Sequence, residues 1–258
     1  TFDVTVSTGG PTPFSVTTKS IVMDSVSFTV NPPLCHFLGF GLDTQGYCVS
    51  NVLPLQDLLK EEGYAKYIPN YSEAFFSSWS EDTVEDKIDV LDTYEVSQDI
   101  VVVVFASHGS KWGGIECPQG SLEKKYVTPG ELKSFLGCLE SNNLVVIVNT
   151  CYSGVFINEL SQLTNKHHVM TSCKSDEESY GFAGSYYPSW SMQNKINHVG
   201  SYFLRYLYQE FLDGESTSTA FNNAYTSTVY HTQEILHDPL DMHPQQHYTL
   251  TQLLYLCL

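Results

Sequence analysis

The chain has 258 residues, 42% of them apolar, which is enough for one large α/β domain with a substantial core. Its formal charge of −17, from 29 acidic and 12 basic side chains, excludes the basic surfaces that bind nucleic acids or anionic membranes. The sequence has no uninterrupted run of about 18 apolar residues, so no membrane span is predicted.

Seven cysteines occur without a CxxC pair, so their spacing predicts no zinc site and no metal is expected. Because the count is odd, at least one thiol is free, which favours a reducing compartment such as the cytoplasm. The chain opens at Thr1 without a start methionine, so a secreted or vacuolar protein that has lost a leader stays an alternative.

The first part of the chain predicts a small β segment followed by an α/β domain. Residues 1–31 are rich in Thr, Ser and Val in loose alternation, which is typical of a strand or hairpin and is consistent with the remnant of a prodomain. The main domain is assigned to 32–258. It opens with a buried strand at 34–41, a helix over 52–64 and a second helix within the acidic stretch 80–99.

The middle of the chain contains the two strongest strand signals. The runs at 99–109 and 142–151 are continuous stretches of β-forming residues, which indicates strands buried on both faces of a parallel sheet. A helix is predicted between them. Thr128 is its expected N-cap, Pro129 its first residue, and Glu131 completes a capping box.

The alternation of strands and helices continues towards the end of the chain. The expected elements are a helix at 155–163, a strand at 167–173, a polar loop at 174–197, helices at 198–214 and 217–236, and an extended tail at 243–250. This order predicts right-handed crossovers. The predicted fold class is therefore α/β, with a mostly parallel central sheet flanked by helices on both faces.

A histidine and a cysteine stand at the carboxyl ends of the two most apolar strands. His108 follows VVVVFAS, and Cys151 follows LVVIVNT. Working sites of open α/β sheets lie outside these strand ends, so neighbouring strands would bring the two side chains together. An imidazole promotes the thiolate, and the helix after Cys151 is expected to lower the pKa of that thiol further.

Two glycines beside these residues have expected roles of their own. Gly109 would let the backbone approach the substrate, and its N–H and that of Cys151 are expected to form an oxyanion hole. Gly154 is expected to permit a sharp turn from strand into helix.

The motifs SHG at 107–109 and NTCYSG at 149–154, each after a hydrophobic strand, resemble the caspase-like clan of cysteine peptidases. Three further segments, VTPGELKSFL, VMTSCKSDEESYGF and YYPSW, follow the order of corresponding segments in legumain and its transamidase relative. The legumain-like family is therefore the nearest. Asn149 and Tyr152 depart from it, because that family usually has an acidic residue two positions before the cysteine and another residue type after it.

The resemblance implies that 32–258 is a caspase-like peptidase domain. Its His108–Cys151 dyad would cleave peptide bonds in a polypeptide substrate through a thioester acyl-enzyme, without a metal or organic cofactor. Synthesis as a zymogen is a further implication. The dyad chemistry leaves two alternatives open, which are a transpeptidase or transamidase and a catalytically silent binding module with the same fold.

The main specificity pocket of this clan takes one substrate side chain, at the position named P1. A preference for Asp would need arginines in the pocket, and the single arginine, Arg205, falls on a core-packing helix. A basic or Asn residue at P1 is therefore expected. The candidate substrate-binding residues are Asp43, Asn149, Ser172, Glu177 and Trp190.

Overall fold

A computed structural model of the chain describes residues 33–43, 47–61, 65–67, 80–118, 125–235, 242–250 and 254–256. The β segment predicted at 1–31 lies outside these residues. Among the helices within them, none is both long enough and apolar enough to cross a membrane.

Strands and helices alternate through the described residues. The strands are β1 (Cys35–Leu42), β2 (Ala65–Tyr67), β3 (Ile100–Ser107), β4 (Gly109–Ser110), β5 (Gly114–Glu116), β6 (Tyr126–Val127), β7 (Asn143–Asn149), β8 (His167–Thr171) and β9 (Gln245–Tyr248). The α-helices are α1 (Leu53–Glu61), α2 (Glu81–Asp92), α3 (Pro129–Leu136), α4 (Val155–Leu160), α5 (Met192–Asn197), α6 (Tyr202–Leu212) and α7 (Thr217–Tyr230).

Six strands form the main sheet in the order β2-β1-β3-β7-β8-β9. Neighbours pair in parallel except at β8 and β9, which pair antiparallel. The strands predicted at 34–41, 99–109, 142–151 and 167–173 are confirmed as β1, β3, β7 and β8. The extended tail supplies the antiparallel edge strand β9, and an edge position explains why its sequence is more polar than that of the central strands.

Helices cover both faces of this sheet. In β3, Val102 and Val104 belong to the core formed with α1, α5, α6 and α7, whereas Val101 and Val103 belong to the core formed with α2, α3 and α4. This alternation is the two-residue period of a strand. Burial on both faces requires apolar residues at every position, which explains the uninterrupted valine run and confirms the predicted fold class.

The predicted start of α3 is confirmed in detail. The Thr128 hydroxyl accepts a hydrogen bond from the N–H of Glu131 at 3.4 Å, and the Glu131 carboxylate accepts one from the N–H of Thr128 at 2.8 Å. Ser80 and Thr83 form the same reciprocal arrangement at the start of α2. Each pair satisfies two N–H groups that have no partner within the helix, so both helices start at defined residues.

One segment that was predicted as a loop, and one for which no element was predicted, contain regular structure. The 174–197 segment ends in α5, whose N-cap Ser191 accepts a hydrogen bond from the N–H of Asn194. The segment after Gly109 forms a small antiparallel sheet of β4, β5 and β6. Both elements are short and contain many polar residues, so hydrophobic periodicity does not reveal them.

Three of the described histidines are fully buried, and two of them, His36 and His168, differ in their partners. His36 Nε2 lies 3.1 Å from Oδ2 of Asp99, and both side chains are buried. His168 Nε2 lies 2.8 Å from the Gln246 amide oxygen across the β8–β9 pair. Burial lowers the pKa of His168 to about 4, although the hydrogen bond with Gln246 acts in the opposite direction.

The lowered pKa of His168 predicts that stability falls in acid. Between the usual value of 6.5 and about 4, the unfolded chain binds a proton at this residue that the folded chain does not bind. The free energy of unfolding should fall by up to about 3 kcal/mol over this window. Urea unfolding at about pH 7 and about pH 4.5 measures the loss.

His168→Leu should remove most of this acid sensitivity, because the variant has no buried imidazole to protonate. His198→Leu is the matched control, since His198 is exposed and should leave the acid loss unchanged. Equal acid losses in the two variants would contradict the assignment.

Candidate active site

A pocket of about 180 Å³ opens at the carboxyl edge of the main sheet. The strand order reverses there, because β2 lies on one side of β1 and β3 on the other, and such reversals create crevices in α/β sheets. Among the residues that the structure describes, thirteen line the pocket: Cys48, Asn51, Ser107, His108, Asn149, Thr150, Cys151, Ser179, Tyr180, Gly181, Phe182, Gly200 and Ser201. None of them is Asp, Glu, Lys or Arg, so this lining carries no permanent charge.

Strand pairing brings His108 and Cys151 to this pocket. Strands β3 and β7 are parallel neighbours, and Ala106 lies opposite Asn149 in their register. His108 and Cys151 each lie two residues after these paired positions, so the two strands bring both residues to the same edge of the sheet. Both residues line the pocket.

Gly109 lies directly against the backbone of Cys151. A side-chain carbon added to Gly109 would overlap the carbonyl oxygen of Cys151 and would lie 2.9 Å from its carbonyl carbon and 3.0 Å from its nitrogen. Every residue other than glycine would therefore push the two segments apart. The two N–H groups predicted to form an oxyanion hole belong to these two adjoining residues.

The expected lowering of the Cys151 pKa is wrong. Burial raises the pKa of this thiol above its usual value, and the negative charge of Glu178 acts in the same direction. Hydrogen bonding with the backbone of Ser179, Cys151 itself and Gly109 opposes the increase without reversing it. The helix α4 begins only at Val155, too far along the chain for its N-terminus to dominate.

The turn after Cys151 is strained at Tyr152, which has φ of 60°, a left-handed conformation that costs a non-glycine residue about 1–2 kcal/mol. Gly154 lies in the turn predicted for it, and its small size rather than an unusual backbone angle is what matters there. Gly154 has φ of −57°, which any residue can adopt. It must be glycine for lack of space, because an added carbon would lie 2.5 Å from the nitrogen of Ser175 and 2.7 Å from the carbonyl carbon of Lys174.

Of the predicted substrate-binding residues, Asn149 lines the pocket and the other four do not. Asp43 is buried beneath it and accepts a hydrogen bond from the N–H of Cys48 at 2.5 Å. Ser172 is fully buried, and its hydroxyl lies 3.2 Å from that of Ser153. Trp190 packs against the rings of Tyr187 and His198.

Glu177 also lies outside the pocket lining, in the turn that follows β8. Its carboxylate contacts His243 and Lys174 within the protein. Its carbonyl oxygen accepts a hydrogen bond from the N–H of Tyr152, so Glu177 contacts the turn at Cys151 without lining the pocket.

Ser201 organises two amide side chains that face the pocket. Its N–H donates to Oδ1 of Asn51 at 3.0 Å, and its hydroxyl donates to Oδ1 of Asn149 at 2.6 Å. The hydroxyl also accepts from the N–H of Leu204, so its proton is directed to Asn149. With both amide oxygens occupied by Ser201, the NH₂ groups of Asn51 and Asn149 are the parts left for other partners.

Sequence reasoning missed most of this lining. Asn51, Ser201 and the segment Ser179–Phe182 come from loops and helix ends that carry no recognisable motif. The one available signal was the pattern of Ser201 before an amphipathic helix, which predicts an N-cap but not a contact 52 residues away with Asn149.

Solved structures with the same fold define the class of this protein. Caspase-1 from Spodoptera frugiperda superposes with a TM-score of 0.56 at 13% identity, over 88% of this chain and 89% of the caspase chain. A structural-genomics protein from Geobacter sulfurreducens gives 0.53 at 12% identity, over 86% of this chain and 95% of the other. The chain therefore has the caspase-like fold.

The sequence model of the peptidase C13 family matches residues 70–250, which include both strand ends of the pocket. The chain belongs to this family, the legumain family of the caspase-like clan. It is a cysteine peptidase, a hydrolase, and its substrates are polypeptides. No curated protein sequence matches the chain.

The contact between Gly109 and Cys151 predicts that Gly109→Ala loses activity. The added carbon displaces the two backbone segments, and loss of one oxyanion donor typically costs about 100-fold or more in rate. Cleavage of a peptide library measures the effect, and far-UV circular dichroism checks the fold.

Gly130→Ala is the matched control, since a carbon added to Gly130 meets no atom within 4 Å. This variant should keep full activity and gain slightly in stability, because alanine favours a helix. Comparable activities of the two variants would show that the Gly109 contact is not needed for catalysis.

Proposed function

We propose that the chain is an endopeptidase in which His108 and Cys151 act as a catalytic dyad. The observation that carries the proposal is the β3–β7 register, in which the paired residues Ala106 and Asn149 each lie two positions before one member of the dyad, at one pocket. Membership of the peptidase C13 family supports the same reaction class.

In the proposed reaction, the Cys151 sulfur attacks the scissile carbonyl carbon while His108 takes the thiol proton. The carbonyl oxygen becomes an oxyanion that accepts hydrogen bonds from the N–H groups of Gly109 and Cys151. The carbon–nitrogen bond then breaks, and His108 gives the proton to the leaving amine. Water, deprotonated by His108, attacks the thioester, releases the acid product and restores the thiol.

The raised pKa of the Cys151 thiol supports a resting state in which the sulfur is protonated. Removal of its proton would then accompany the attack instead of preceding it. A base at the site is therefore required at neutral pH, and His108 is the imidazole that lines the pocket.

This resting state predicts how Cys151 reacts with iodoacetamide. Because only the thiolate is alkylated, the rate should keep rising with pH through about 9 and should show no plateau near neutral pH. Peptide mapping by mass spectrometry isolates the Cys151 signal, with Cys151→Ser as the blank. A plateau below about pH 7 would indicate a stable thiolate–imidazolium pair instead.

The substrate backbone is proposed to pair with Gly181. This residue forms a bridge with Ser201 in which the hydrogen bonds come from its neighbours: the N–H of Phe182 donates to the oxygen of Gly200 at 2.9 Å, and the N–H of Tyr202 donates to that of Tyr180 at 3.4 Å. In such a pair the N–H and C=O of Gly181 point away from Ser201. They would bind an extended peptide as an added strand.

The uncharged lining favours Asn over a basic residue at P1. Lys or Arg would need a carboxylate, and the part of the pocket lining that the structure describes contains none. The NH₂ groups of Asn51 and Asn149, oriented by Ser201, would donate to a substrate carboxamide oxygen. A carboxylate would find no Lys or Arg among these residues to offset its desolvation.

A fluorogenic peptide library that varies only P1 tests this proposal, with Cys151→Ala and His108→Ala as inactive controls. Asn at P1 should be cleaved at least about tenfold faster than Lys or Asp, since each unpaired buried charge costs several kcal/mol. A preference for Lys would contradict the pocket assignment. Undiminished cleavage by Cys151→Ala would contradict the dyad.

The same acyl-enzyme can pass its acyl group to an amine, so the assay should include a peptide with a free N-terminal glycine. Mass spectrometry then separates hydrolysis products from ligated products. Ligation in excess of hydrolysis would favour the transpeptidase alternative, and complete absence of both reactions would favour a binding module.

A further inference from the structure

The carboxylate of Glu177 is held by four donors although its side chain is 17% exposed. Its Oε2 accepts from the N–H of His243 at 2.8 Å and from the N–H of Lys174 at 3.1 Å. Its Oε1 lies 2.8 Å from Nδ1 of His243 and 3.2 Å from Nζ of Lys174. Burial raises the pKa of Glu177, but these hydrogen bonds outweigh burial and the net pKa is lowered.

The main chain of Glu177 contacts the nucleophile turn. Its carbonyl oxygen accepts a hydrogen bond from the N–H of Tyr152 at 2.7 Å and lies 3.3 Å from the sulfur of Cys173. Tyr152 is the residue with φ of 60°, and its N–H belongs to the peptide that joins it to Cys151. A strained conformation of this kind persists only when surrounding contacts hold it.

The segments that anchor Glu177 also pack against this turn. Gly154 lies so close to the 174–175 backbone and to the Gln245 side chain that an added carbon would lie 2.5 to 2.7 Å from them. His243 precedes Gln245 at the start of β9. The turn at Cys151 is therefore backed by one compact unit made of residues 174–177 and 243–245.

We propose that Glu177 is a positioning residue for the reaction, which acts through its main-chain hydrogen bond to Tyr152 to fix the Cys151 N–H that faces the oxyanion. His243 and Lys174 hold Glu177, and Glu177 holds the turn. This inference rests on the proposed function and assigns Glu177 no contact with the substrate. It replaces the substrate-binding role expected from sequence.

Glu177→Gln tests the inference, because it removes the charge that binds His243 and Lys174 while keeping the shape. We expect kcat to fall about tenfold with KM within about twofold of wild type, since only a transition-state interaction weakens. The substrate is the best peptide of the P1 library. Asp176→Asn, a charge change at an exposed residue of the same turn, is the matched control and should match wild type.

The rate at which iodoacetamide alkylates Cys151 shows whether a lower kcat comes from a misplaced oxyanion donor or from a changed environment of the thiol. Alkylation forms no oxyanion, so the Glu177→Gln rate should stay within about twofold of wild type while kcat falls. An unchanged kcat, a change confined to KM, or an equal loss in Asp176→Asn would each overturn the proposal.

His243→Ala removes the side chain that binds the Glu177 carboxylate, and it replaces Glu177→Gln as the test if that variant fails to fold. Its kcat should fall similarly, and the double variant should lose little more than either single variant, because the two residues form one unit. Multiplicative losses would overturn the coupling. Failure of wild type to cleave any peptide, or cleavage by Cys151→Ala, would instead refute the dyad itself.

Discussion

The parallel pairing of β3 with β7 is the constraint on which the site depends. It sets Ala106 opposite Asn149, and this single register decides the relative heights of His108 and Cys151. A shift by one residue would turn the buried valines of either strand to the wrong face, so the packing of two cores protects the alignment of the pocket. The same register therefore determines both the stability of the sheet and the geometry of the site.

The turn that carries Cys151 shows how the protein resolves opposing demands. The thiol must be close to the backbone of Gly109, partly buried, and followed by a left-handed Tyr152. Each of these features costs free energy: Gly109 has no side chain, the thiol is desolvated, and the backbone of Tyr152 is strained. The hydrogen bond that the Tyr152 N–H donates to the carbonyl of Glu177 and the close packing on Gly154 offset these costs from outside the turn.

The strand ends could be predicted from sequence because continuous apolar runs have one stable location, the centre of a parallel sheet. The N-cap of α3 could also be predicted, because its reciprocal hydrogen bonds join residues only three positions apart. The residues of the pocket wall could not be predicted in this way. Ser201 and Asn51 are 150 residues apart, and nothing local marks their contact.

The wrong sequence predictions considered local effects and neglected burial. A helix after Cys151 predicted a lowered thiol pKa, but α4 starts four residues later and burial dominates. Acidic residues near strand ends predicted a charged pocket, but Asp43 and Glu177 satisfy backbone N–H groups inside the protein. Those donors are visible only once the chain is folded, which is why loop charges are poor guides to specificity.

The antiparallel edge strand β9 affects when the site can form during synthesis of the chain. Strand β9 joins a partner 74 residues earlier in the chain, at the contact of Gln245 with Thr171, and the same segment backs the turn at Cys151. Contacts so distant in sequence form late when a polypeptide emerges from the ribosome. The nascent chain therefore exposes His108 and Cys151 before the segment that packs behind their turn has been synthesised, so the pocket can be completed only after β9 has emerged.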